Sequence, residues 1–347
     1  MGKYLLGLDC GHTVTKAVLF DLAGNEIASG KGANEQISLH PGWQERTMED
    51  AADAATQAIK GAIKDINPEE IIALGVCGHS DGLYLLDKNL KPLRNAIFAT
   101  DNRAKEVAER LAKSVGDKLL ATIGQFLFPA SPAALLVWLK ENEPENYKNI
   151  GAVLHCKDWI NAHLTGIIAE DVSDSAGSYV DMNSYQISDE VLQLTGLTDL
   201  KPTLKKPNFS TTIIGTITEE IAKQTGLSPK TKVIAGAHDV HAAAIGVGAY
   251  EFGETSLIFG TWSINQVFAN KPTPDFRWHT RASITPNRWL HMCTSPASAS
   301  NANWFYDLFG IHSIDEITKL LTEADKTLTN NDRPLYFPYL FGGPAGT

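Results

Sequence analysis

The sequence has no apolar stretch near the length of about 18 residues that a membrane-spanning helix needs. The apolar run at Tyr4–Leu8 stops at Asp9 and is too short for a signal peptide. Basic residues are the scarcer sign, 30 Lys and Arg against 40 Asp and Glu, a net charge of −10. That excludes general binding to nucleic acid or to an anionic membrane, since both need dense positive surface, and leaves room for a local basic pocket holding phosphates. Cysteine is also sparse. Cys10, Cys77, Cys156 and Cys293 are far apart, and no CxxC pair writes a zinc knuckle or a thioredoxin-type site. Four cysteines in 347 residues make no disulfide framework, so a reducing, cytoplasmic setting is expected. In that setting the sequon at Asn208-Phe209-Ser210 is a chance match. Low-complexity tracts and short periodic repeats are absent.

What is present is ordinary globular composition, 43% hydrophobic and 20% charged, enough for two domains at about 150 residues each. Residues 3–30 read as three successive strands, with turns at Gly11–Thr13 and Leu22–Asn25. Thr47 caps a helix whose first turn is acidic and whose apolar stripe is Ala55, Ile59 and Ile63. Strands are expected at Ile71–Cys77, Leu83–Leu86, Ala152–Cys156 and Lys232–Ala235. One helix is expected to begin at Asp101, with Ala104, Val107, Ala108 and Leu111 on its buried face, and another at Ser131-Pro132. Strands thus alternate with helices through the first 245 residues, with a mostly helical stretch near 101–230. After Gly246-Val247-Gly248 the opening pattern returns, as a strand at Thr255–Phe259, a turn at Gly260-Thr261 and a strand at Ser263–Phe268. The division expected is an α/β lobe over 1–247, a hinge over 248–254 and a second lobe beginning at 255.

Three segments carry chemistry. Asp9-Cys10-Gly11-His12-Thr13-Val14-Thr15-Lys16 is a tight hairpin of small residues, hydroxyls, a lysine and an acid. Phosphate can approach its backbone N–H groups, and the acid can hold a metal. Asp239, at a strand end where an alanine-rich helix opens, is either a helix cap or a general base. His238 and His241 have the spacing of a metal pair but lack a third ligand and read as structural. Gly260-Thr261 repeats the phosphate turn in the second lobe. A fourth segment, Gly78-His79-Ser80-Asp81-Gly82, matches the G-x-S-x-G of a serine hydrolase, with Ser80 as nucleophile. A strand follows where that motif needs a helix.

Taken together, LGLDCGHTVTKAVLFD, HPGWQERTMED (40–50), GVCGHSDGLYLLDKNLKPLRNAIFATDNRA (75–104), GAHDVHAAAIGVG, FGTWSINQV and FPYLFGGPAG resemble six ordered motifs of the FGGY carbohydrate kinases. GTW and TSPASASNANWF (294–305) are similar to those of pentulose kinases, particularly L-xylulose kinase-like members. The resemblance implies an α/β, actin/hexokinase-like (ribonuclease H-like) two-lobe fold and ATP-dependent phosphorylation of a sugar or polyol with Mg²⁺. It implies Asp239 as the base, Asp9 toward the metal, and Gly11, Thr13, Lys16, Gly260 and Thr261 toward ATP phosphates. Ser80, Asp81 and Asp101 are implied as sugar ligands. His12, His79, Val14 and Val240 depart from the usual pattern. The family's glycine-rich adenosine-binding segment is absent, so the second lobe is expected to be incomplete. The alternative is a sugar-binding regulatory relative without catalysis. A homodimer is compatible with all of this.

Overall fold

The computed structural model describes residues 3–259, 263–295 and 298–326. Strands β1 (Tyr4–Cys10), β2 (Val14–Asp21) and β3 (Glu26–Ala33) form the expected antiparallel meander. Next comes helix α1 (Met48–Ile63), whose first turn is closed by Thr47 Oγ1 accepting the Asp50 N–H at 3.0 Å. Its apolar stripe packs on β2 and β3. Two glycines permit that approach, since a Cβ at Gly30 would lie 2.2 Å from the Ala58 carbonyl and one at Gly32 2.1 Å from that of Ala54.

Strand β4 (Ile71–Gly78) lies parallel to β1 and extends the meander into a mixed sheet. On its other side are β5 (Ile213–Thr216), β6 (Lys232–Ile234) and the short β7 (Ala237–His238), in the order β5-β6-β4-β1-β2-β3 with β7 pairing β4. β1, β4, β6 and β7 are parallel, so their carboxyl ends, carrying Asp9, Gly78 and His238, converge on one edge. That edge is where an α/β sheet builds its site. The last strand leads directly into helix α5 (Asp239–Gly246), numbered after α2–α4 below.

A second apolar core lies around helices α2 (Lys105–Ile123) and α3 (Pro132–Asn142), in the stretch expected to be helical. Two boundaries differ from expectation. α2 starts at Lys105 and not at Asp101, which sits in the preceding turn. The strand near 152 is Ile150–Leu154, and Cys156 already opens helix α4 (Cys156–Thr165), because Asp158 and His155 form a capping box there.

Past the segment 247–254, strands β8 (Thr255–Phe259), β9 (Ser263–Ala269), β10 (His279–Ala282) and β11 (Trp289–Ser295) form an antiparallel sheet ordered β8-β9-β11-β10. Its small core is Phe268, Leu290 and Met292 against Val240 and Ala244 of α5. Helix α5 is thereby held between the two sheets. Helices α6 (Ala299–Leu308) and α7 (Ile314–Asp325) complete the described chain and bury none of their side chains.

Candidate active site

Two cavities meet at one carboxylate. The larger, about 820 Å³, lies between the open face of the first sheet and α5, and is lined by Asp9, Gly11, Lys16, Gly236, Ala243 and Ile258 among others. The smaller, about 320 Å³, is lined by His12, His79, Ser80, Asp81, His238, His279 and Arg281 among others. Asp239, Val240 and Ile264 line both.

Asp239 owes its position to the turn before it. Gly236 has φ +78°, and a Cβ there would lie 1.9 Å from the Val76 carbonyl, so only glycine lets the chain turn from β6 into β7. The N-cap of α5 is His238, so Asp239 occupies the first helical residue and is not the cap. Its side chain stays 36% exposed, with His238 Nε2 at 3.1 Å from Oδ1. The carboxylate therefore faces both cavities.

Asp9 ends β1, and its register partner across the hairpin is Lys16. Both reach the larger cavity. Burial pushes the Asp9 carboxyl above its usual range, the negative charge of Asp239 adds to that, and Lys16 opposes it. The Cys77 thiol is likewise raised by burial and by those two acids. Two carboxylates that repel across a half-buried cavity fit a divalent cation, which would relieve both charges. Gly11 lines the same cavity, while Thr13 is exposed at the hairpin tip and lies outside the lining. Gly260 and Thr261, the expected second phosphate turn, lie outside the described residues, as does FPYLFGGPAG.

Ser80 and Asp81 are buried in the wall of the smaller cavity. Asp81 adopts φ +57° and is followed by Gly82, whose N–H donates to the Ala130 carbonyl at 2.9 Å. This left-handed pair turns both side chains inward. Ser80 Oγ accepts from Arg281 at 2.5 Å, and the chain continues into a strand at Tyr84–Asp87, so the environment is not that of a hydrolase nucleophile. His12 and His79 meet edge to face with ring centroids 4.2 Å apart, and His79 Nε2 lies 3.2 Å from the Tyr84 hydroxyl. Burial holds the His12 imidazole well below its usual range, with His79 and Arg46 adding to that, so it is neutral at pH 7.

Asp101 has a different place from the one expected. It lines neither cavity. One oxygen accepts from the Gln44 N–H at 2.7 Å and from Arg103 Nη2, and the other from Arg103 N–H and Nε. Arg103 also meets Glu45 at 2.7 Å and stacks on Trp43 at 4.0 Å. The H-P-G-W-Q-E segment and the Asp101-x-Arg103 segment therefore lock to each other outside the two cavities.

The sequence reading did not single out Arg281, His279, Gln125 or Lys157. Lys157 is fully buried among Asp158, Asp171 and Asp174 at 2.6, 3.4 and 3.0 Å. Ser173 donates to Asp171 and accepts the His238 N–H at 2.9 Å, so this ion cluster lies directly beneath the residue before Asp239. A lysine-aspartate pair inside the apolar run of α4 was the one local signal of it. His155, Asp158 and Asp174 also have metal-ligand spacing, but the Lys157 ammonium supplies the cation there.

Residues 4–246 match the model of the N-terminal domain of the FGGY family of carbohydrate kinases. The chain is 31% identical over 353 residues to the L-xylulose/3-keto-L-gulonate kinase of Escherichia coli (strain K12), covering 100% of this chain and 70% of that protein. It is 29% identical to the xylulose kinase of the same organism, over 97% of this chain and 69% of that one. Among solved structures, the ligand-bound xylulose kinase of Lactobacillus acidophilus superposes with a TM-score of 0.91 at 25% identity, over 99% of this chain and 69% of that one. The xyloylose kinase of Brucella ovis gives a TM-score of 0.89 at 29% identity, over 98% of this chain and 70% of that one. The fold is the actin-like fold of the sugar kinases, and the site is that of a phosphotransferase with a sugar acceptor. The chain belongs to the FGGY family of carbohydrate kinases, whose members use ATP, typically with Mg²⁺. Among the described residues no helix is long and apolar enough to cross a membrane.

Proposed function

We propose that the protein transfers the γ-phosphoryl group of ATP to a hydroxyl of a pentulose such as L-xylulose or D-xylulose, with Asp239 as general base. The observation that carries this reading is that Asp239 lines both cavities. The larger cavity has the glycine-lined walls, Lys16 and Asp9 suited to a triphosphate, and the smaller has the buried polar groups suited to a polyol. Phosphoryl transfer needs the two reactants in line, and a base at their junction can take the proton of the attacking oxygen as that oxygen bonds to phosphorus and ADP leaves.

Lys16 and the Gly11 backbone approach the phosphates, with Thr13 at the hairpin tip and Gly260-Thr261 supplying the second turn. Ser80 and Asp81 hold sugar hydroxyls. Mg²⁺, when bound by Asp9, offsets charge on the phosphates. His238, 3.1 Å from Asp239 Oδ1, steadies the base without occupying its second oxygen. The proposed lobe boundary is 248–254. Gly248 and Gly253 have φ +82° and +88°, and Arg288 stacks on Tyr250 at 3.8 Å, which ties this segment to the second sheet.

The test is Asp239→Asn. Turnover should fall at least about 10²-fold, the scale of a lost general base, while calorimetry shows pentulose binding retained. Near wild-type turnover would remove Asp239 from the mechanism.

A further inference from the structure

We propose that Arg281 is a specificity-determining residue of the sugar pocket, completing it from the second sheet and selecting an uncharged polyhydroxylated ligand over a sugar acid. The assignment rests on the smaller cavity being the acceptor site.

Arg281 is carried on β10, an edge strand docked on the first lobe. The Thr280 N–H donates to the Gly124 carbonyl at 2.7 Å. Gly124 caps α2 with φ +69°, and a Cβ there would lie 2.1 Å from the Thr280 carbonyl. The next strand is docked too, by Trp289 Nε1 donating to the Met182 carbonyl at 2.9 Å. From this fixed base the fully buried Arg281 side chain reaches three groups of the first lobe. Nη1 donates to Ser80 Oγ at 2.5 Å, and Nη2 to Asp81 Oδ2 at 2.8 Å and Gln125 Oε1 at 2.5 Å. Gln125 in turn donates to the other oxygen of Asp81 at 3.2 Å. The space for this fork is kept by Gly177, where a Cβ would lie 2.7 Å from Arg281 Cζ and 2.8 Å from Gln125 Oε1.

The fork fixes both residues expected to hold sugar hydroxyls, so their geometry is set before a ligand arrives. It also leaves buried polar atoms without partners among the residues lining the cavity: Arg281 Nε, His279 Nδ1, His238 Nδ1 and His12 Nε2. These nitrogens are closed off from solvent, so a ligand bearing hydroxyls on successive carbons would instead meet the Ser80 hydroxyl and the Asp81 and Asp239 carboxylates that line the cavity.

Charge decides which such ligand fits. The lining holds the carboxylates of Asp81 and Asp239 against the one guanidinium of Arg281. Burial holds the His12 and His279 imidazoles below their usual range, so neither adds positive charge at neutral pH. A carboxylate ligand prefers the paired N–H groups of a guanidinium fork, and both terminal nitrogens of Arg281 are already taken. The remaining Nε is closed off from solvent, so no guanidinium fork is free for a carboxylate.

The experiment compares wild-type protein with Arg281→Met, Arg281→Lys and Gln125→Ala. Binding is read by calorimetry and by steady-state KM, with L-xylulose and D-xylulose as neutral ligands and 3-keto-L-gulonate as the acid. The wild type should bind a pentulose at least about tenfold more tightly than the acid. Arg281→Met should raise pentulose KM at least about tenfold with the ATP KM within about twofold, and Arg281→Lys should recover only part of the loss. Gln125→Ala leaves the ion pair in place and, in folded protein, should raise pentulose KM with the ATP KM within about twofold, so the assignment is tested even if Arg281→Met does not fold. Unchanged pentulose KM in Gln125→Ala or in folded Arg281→Met would overturn the role of Arg281. Tighter wild-type binding of the acid would overturn the selection. No binding of any sugar by the wild type would overturn the acceptor-site reading itself.

Discussion

Asp9 shows how a residue can serve the site at the expense of the fold. Its carboxyl is raised by burial and by the charge of Asp239. A raised carboxyl means that the folded protein holds the proton more tightly than the unfolded chain. The stability this adds is present at low pH and lost as pH rises through the folded value. Above the ordinary carboxylate range the buried Asp9 is therefore a cost to the fold. Asp9→Asn should raise the melting temperature at pH 7, with the gain shrinking toward acid pH, and should weaken the dependence of turnover on Mg²⁺. A lower melting temperature, or an unaltered Mg²⁺ requirement, would contradict this account. At this scale the sequence singled out Asp9, Lys16, Ser80, Asp81 and Asp239 from compact local motifs, and all five line the two cavities. It did not reveal Arg281, 200 residues from Asp81, because nothing near Arg281 in the chain reports the partners that folding brings to it. It misplaced Asp101, since an aspartate before a helix looks alike whether it caps the helix, meets a ligand or binds the arginine two residues on.

Among the elements, α4 and the short helix Val172–Ser175 behave as one unit through Lys157 and its aspartates. A buried charge cluster gains its Coulomb energy against desolvation, and its net effect on stability is small or unfavourable unless every member is paired. Glu170 lies at its edge. Burial pushes its carboxyl up to about 7, and Asp158 adds to the shift. By the same sign, stability linked to Glu170 is complete at acid pH and is lost between the ordinary carboxylate range and about 7. Glu170→Gln can accept the Lys205 N–H with its carboxamide oxygen and donate from its NH2 to the Tyr179 hydroxyl, which then accepts, while removing the titration. Thermal melts from pH 5 to pH 8 should fall less steeply in this variant than in the wild type, and parallel curves would exclude Glu170 as the source. The meander, α1 and the strand before Asp239 were legible because hydrophobic period and capping residues are local signals. The start of α4 was not, because from Ala152 to Cys156 only His155, itself buried, interrupts the apolar run that spans the strand, its end and the first helical residue.

At the scale of the whole molecule, the second sheet covers the edge that carries Asp239, while among the described residues the two helices after it bury no side chain. β10 and β11 dock on the first lobe beside the smaller cavity, so both cavities depend on chain from either side of 248–254. Beyond β11 the pattern changes. In α6 and α7 the large apolar side chains face outward, with Phe305 41%, Leu308 62%, Phe309 62%, Ile314 80% and Leu321 56% exposed. Phe305 and Phe309 touch each other, with ring centroids 4.8 Å apart. Monomeric proteins rarely leave more than a few hundred Å² of contiguous apolar surface in water, and two consecutive helices without a buried side chain leave a strong drive to cover it. The chain 1–347 should therefore bind a hydrophobic dye such as ANS in its native state and associate as its concentration rises through the micromolar range. Replacing Leu308 and Ile314 with lysine should suppress both effects and leave pentulose binding unchanged, because neither residue lines the cavities. Light scattering and dye fluorescence across a concentration series check it. A wild-type chain that stays monomeric and dark to the dye would mean that these helices are covered by other parts of the same chain.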